Sequence, residues 1–148
     1  TKLLQRRYKN TMKINLFILR TNYDMKVTIA KSIFIIISSI FYVIVGIKHF
    51  IDPGYFLNIV PPYLPFHLEL VYLSGVFEIL FGVMILLPKY RYLGSIGLIL
   101  LLIAVFPANI YLAQSKEAQI AIGASQEIAT WRLPIQGLLI YIAYWIRK

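Results

Sequence analysis

Five polar residues stand apart from the rest of this sequence: His49, Glu78, Asn109, Arg132 and Gln136. An imidazole, a carboxylate and a guanidinium are groups that move protons and hold acceptor oxygens. The two carboxamides donate and accept at once. Their positions make them informative, because each lies inside or at the end of a long apolar run. There an ionisable side chain costs a few kcal/mol and needs a partner or a task. Glu78 sits about ten residues into its run, roughly 15 Å deep at the helical rise. Ser74 and Gly82 flank it at i−4 and i+4, so its face must turn inward. Ser39, Tyr42, Gly46 and His49 follow helical spacing and make a second inward stripe. Pro107, just before Asn109, has a ring that frees the Ile103 carbonyl and bends the helix. Arg132 and Gln136 are one turn apart, and Pro134 between them fits a first-turn position.

Each residue also has a plainer reading. Glu78 can be interhelical glue, hydrogen-bonded to Ser74 or Asn109. Arg132 can snorkel to the interface, and His49 can be an ordinary helix-end residue. Taken together, three ionisable groups at compatible depth favour a shared site. A metal is not expected, since one Glu and one His fall short of the usual three or four ligands. With no cysteine in the chain, thiolate ligands, disulfides and a direct thiol relay are excluded. A Gly-rich phosphate loop, a Ser–His–Asp arrangement and a carboxylate pair are all missing from the sequence.

The elements that must carry these residues follow from composition. The chain has 148 residues, 59% of them hydrophobic and only 14% charged. Ordinary soluble domains are about 45–50% apolar and about 25% charged, so the bilayer is the expected solvent. Sixteen uncharged residues separate Lys31 from Lys48, and twenty-four run from Tyr92 to Ser115. Leu68–Leu87 is interrupted by Glu78, and fourteen uncharged residues separate Arg132 from Arg147. Backbone in lipid must satisfy itself, which makes these runs helices rather than strands. The expected fold is an all-α integral membrane protein, a four-transmembrane-helix bundle. Its spans lie at about 30–49, 68–87, 92–114 and 130–147, within a membrane domain of residues 29–148.

Residues 1–28 read as a basic tail. The stretch before Met25 is irregular and is expected to be disordered or an upstream extension of the frame, with Met25 as the natural start. The net charge is +9, yet it gathers in that tail and at the ends of apolar runs rather than on an aromatic-interleaved stripe. Anionic lipid headgroups, not nucleic acid, are therefore the expected partner. With both termini inside, twelve Lys and Arg residues fall inside and three outside. The first run lacks a cleavage-site pattern and is read as a retained span. The expected location is a bacterial inner membrane, with cytoplasmic termini. On that topology all five site residues fall in the outer half, beneath a loop (residues 48–67) rich in proline and aromatics.

The run from Gly46 through His49, Pro53, Phe56 and Pro61 to Pro65 resembles the DoxX-like family of small four-helix membrane proteins. So do the segments Tyr72–Gly82 and Phe106–Ile110, and the closing Trp131–Gln136. The resemblance covers about residues 30–148. Relatives include a subunit type of thiosulfate:quinone oxidoreductase, proteins linked to oxidative-stress complexes and an animal chaperone for acetylcholine receptors. It implies either an accessory, quinone-linked redox subunit or a non-catalytic assembly factor for a partner membrane or redox protein. In the first case His49, Arg132 and Gln136 hydrogen-bond a quinone carbonyl and Glu78 relays a proton.

Overall fold

A computed structural model describes residues 2–148, and the side chains of all of these except 2–4, 10, 23 and 24. Seven helices follow one another: α1 (Lys2–Ile51), α2 (Pro53–Leu57), α3 (His67–Leu86), α4 (Arg91–Ala104), α5 (Phe106–Gln114), α6 (Lys116–Ile122) and α7 (Gln126–Ile146). Among the described residues there is no strand. Three stretches are long and apolar enough to cross a membrane: residues 5–51 of α1, α3, and α4 with α5. Only 22%, 22% and 17% of their most apolar windows are buried, so most of that apolar surface faces outward, as lipid requires. The fourth expected span corresponds to α7. It has 21 residues but falls outside that set, because Arg132, Gln136 and its aromatic residues dilute the apolar ones.

Thr1–Phe34 and Ile35–Lys148 form two compact units. In the first, residues 2–28 belong to α1, where an irregular tail was expected. Neither glycine nor proline occurs before Gly46, so nothing in the local sequence stops a helix. Its basic residues Arg6, Arg7, Lys9, Lys13 and Arg20 are exposed. The hydroxyls of Thr11 and Thr21 donate back to the Arg7 and Phe17 carbonyls, at 3.1 and 2.9 Å.

The second unit contains the five polar residues. Its helices meet on small side chains. A Cβ added at Gly46 would lie 2.7 Å from the Gly75 carbonyl oxygen, and one at Gly75 would lie 2.7 Å from His49 Cβ. Gly94 and Gly97 seat α4 on α3 in the same way, against Met84 and the ring of Phe81. Helix α4 also packs on α7, and α5 packs on α6 and α7. Ile85, Leu98, Leu102 and Ile146 are buried in one apolar cluster, while Ile59, Leu112, Ala118 and Ala129 form a second.

Two prolines act differently from expectation. Rather than bending a continuous helix, Pro107 helps open a new one. The helix breaks at Val105, and Pro107 takes a first-turn position of α5, where its missing N–H costs nothing. Pro134 is not in a first turn but inside α7. The helix starts earlier because the Ser125 hydroxyl accepts from the Ile128 N–H at 3.3 Å, and so caps it.

Candidate functional site: two linked polar groups

His49 and Glu78 lie one turn beyond the Gly46–Gly75 contact on their respective helices. That close backbone approach brings the imidazole Nδ1 within 3.3 Å of the Glu78 Oε2. Nδ1 also lies 2.9 Å from the Val45 carbonyl, one turn back on α1. A proton on Nδ1 is therefore claimed by Val45, and Oε2 of Glu78 is left buried without a hydrogen-bond partner. Neither Ser74 nor Asn109 meets Glu78. The Ser74 hydroxyl donates to the Val71 carbonyl at 2.8 Å instead. Two other buried hydroxyls, those of Tyr42 and Ser95, also lack partners.

The second group joins α4, α5 and α7. Arg132 Nε donates to Asn109 Oδ1 at 2.9 Å, and Asn109 Nδ2 donates to Gln136 Oε1 at 2.7 Å. Gln136 Nε2 then donates to the Leu102 carbonyl, near the break between α4 and α5. Each amide thus uses its donor and its acceptor in one direction along the file. Gln136 is 2% exposed, and this bonding explains how a carboxamide survives there. Arg132 does not simply snorkel to an interface: it is half-buried and tied to the file.

Short helix α2 links the two groups. Asp52 caps it, its Oδ1 accepting from the Tyr55 N–H at 3.3 Å, and Pro53 stands in its first turn. Tyr55 and Phe56 face both ways. The Phe56 ring stacks on His49 with centroids 3.5 Å apart, and the Tyr55 hydroxyl accepts from Arg132 Nη1 at 3.4 Å. Sequence reasoning took Tyr55 and Phe56 only as part of a loop rich in aromatics and missed this role. The available signal was the Asp-Pro-Gly run, which also encodes a capped helical turn. Also missed was Gln119, buried against the end of α5. Its Nε2 lies 2.9 Å from the Leu112 carbonyl and 3.1 Å from Gln126 Oε1. Among the described residues no group of three or more metal-ligating side chains occurs.

A family model described as a domain of unknown function (DUF8561) matches residues 38–147. The chain belongs to this family. The DUF8561 match takes in all five polar residues as well as α2, and begins after the basic part of α1. Its description carries no activity. No curated protein and no solved structure matches the chain.

Beside the second group lies a cleft of about 310 Å³, lined by Ile103, Phe106, Leu133, Gln136, Gly137 and Ile140. Gln136 is its one side chain able to hydrogen-bond. Arg132 Nη2 in one group and Glu78 Oε2 in the other are left without a hydrogen-bond partner among the described residues.

Proposed function

We propose that this DUF8561 protein is a relative of the DoxX-like proteins. In this reading it is an accessory subunit of a redox complex and holds the head of a quinone-type amphiphile. Its four spans are α1, α3, α4 with α5, and α7, both termini lie on the cytoplasmic side of a bacterial inner membrane, and the polar groups lie in the outer half.

One observation carries the reading. Among the described residues Arg132 has no carboxylate partner, and its bonds use Nε and Nη1 only. A half-buried guanidinium with Nη2 uncommitted favours an acceptor oxygen from outside the protein. A quinone carbonyl meets that requirement without importing a second full charge into the apolar region. Glu78, with its buried free oxygen beside His49, is the group suited to exchange a proton with a reduced ring.

The test is mass spectrometry of small molecules extracted from the purified protein, run beside a Glu78→Gln, Arg132→Gln double variant. A quinone retained by the natural sequence and lost by the folded variant is the expected result. Nothing bound in either, together with a stoichiometric protein partner, would replace this reading with an assembly factor. The polar file would then be structural glue.

A further inference from the structure

The cleft beside Gly137 deepens the quinone reading and rests on it. Five of the glycines in the second unit press against a neighbouring helix. A Cβ at Gly46, Gly75, Gly82, Gly94 or Gly97 would meet another helix at 3.2 Å or less. Gly137 is different, since a Cβ there meets nothing within 4 Å. A glycine inside a helix costs about 1 kcal/mol relative to alanine, and here no packing contact in the chain offsets it. Gly137 stands in the wall of the 310 Å³ cleft. Ile103 and Phe106, on either side of the break at Val105, line it as well. Gln136 also lines it, as the last side chain of the file that starts at Tyr55 and Arg132. The cleft is therefore apolar, adjoins the polar file at Gln136, and lies against a stretch apolar enough to cross a membrane. Its volume is near the low end of the roughly 300–1,000 Å³ of ligand sites, enough for part of a chain.

We propose that this cleft seats the single hydrocarbon chain of the amphiphile whose head is held by Arg132. The chain crosses α7 at Gly137, where any side chain would stand in its way, and leaves toward the lipid.

The experiment uses the full chain in nanodiscs of one lipid composition and two probes. One is a dimethoxy-methyl benzoquinone without a chain, and the other is the same ring carrying a decyl chain. The natural protein is expected to bind the decyl probe at least about tenfold more tightly than the bare ring. Gly137→Leu should bind the bare ring unchanged and lose that gain. Partitioning into lipid is common to both proteins and cancels. The new Cβ meets nothing within 4 Å, and an unchanged or raised melting temperature checks that the variant folds. If the bare ring binds but the decyl chain adds nothing, or if Gly137→Leu keeps the gain, the chain seat is overturned and the head site stands. Should neither probe bind the natural protein, the head site falls and the chain seat with it. A natural dimer that Gly137→Leu converts to a monomer would assign the cleft to a helix of a second copy, again overturning the proposal.

Discussion

His49 Nδ1 lies 3.3 Å from Glu78 Oε2, yet the two atoms share no hydrogen bond. The Val45 carbonyl, at 2.9 Å, is where a proton on Nδ1 points. Proximity without a bond leaves the carboxylate close to an imidazole and still free to accept. Most buried polar atoms are paired, and among the described residues Oε2 shares its lack of a partner with the Tyr42 and Ser95 hydroxyls. Phe56 stacks on the same imidazole, which is 6% exposed, so solvent reaches the pair poorly.

Glu78→Gln should leave the fold intact, because no hydrogen bond to Oε2 is lost. A change in stability within about 1 kcal/mol is expected, in line with single polar contacts inside membrane proteins. Retention of a bound quinone should fall. Thermal unfolding followed by scattering, run beside extraction and mass spectrometry, reads both quantities. An unfolded variant would mark Glu78 as structural.

Alanine at two glycines should act in opposite directions. At Gly75 the new Cβ would sit 2.7 Å from His49 Cβ, and the strain should cost about 1–3 kcal/mol. It should also push His49 and Glu78 apart. At Gly137 the Cβ meets nothing within 4 Å, and a gain of about 0.5–1 kcal/mol from helix propensity is expected. Reversible unfolding in mixed micelles distinguishes the two, and equal effects would contradict the helix contacts described.

Asn109 and Gln136 should couple. Their 2.7 Å bond lies within a file in which each amide donates one way, so Asn109→Ala and Gln136→Ala remove overlapping interactions. A double-mutant cycle should return about 0.5–1.5 kcal/mol of coupling energy. Strict additivity would mean that the file is not energetically connected.

Gln119→Leu keeps the volume and removes the donor that meets the Leu112 and Ala113 carbonyls, at 2.9 and 3.3 Å. Gln126 Nε2 still donates to the Ala113 carbonyl at 3.0 Å, but the Leu112 carbonyl is left without its side-chain donor, and a loss of about 1–3 kcal/mol is expected. Hydrogen exchange should rise first in α5 and α6. Uniform exchange across the molecule would count against a local cap.

Helical content, and runs long and apolar enough to cross a membrane, were legible from composition and spacing. A carboxylate inside an apolar run is exceptional whatever surrounds it, and insertion cost depends mainly on local sequence. The small residues that let helices touch were visible too, though not which pairs they would form.

Partnership was decided only by the tertiary structure. Arg132 meets Tyr55 across 77 positions, and Asn109 meets Gln136 across 27. Glu78 faces His49 rather than Ser74 because Gly46 and Gly75 set the crossing of α1 on α3. One-dimensional spacing shows which face a residue occupies, whereas crossing points and depths belong to the packed helices. The prolines teach the same point. The ring of Pro107 opens α5 and that of Pro134 lies within α7, although each imposes the same local constraint. The difference lies in where the neighbouring caps allow a helix to begin.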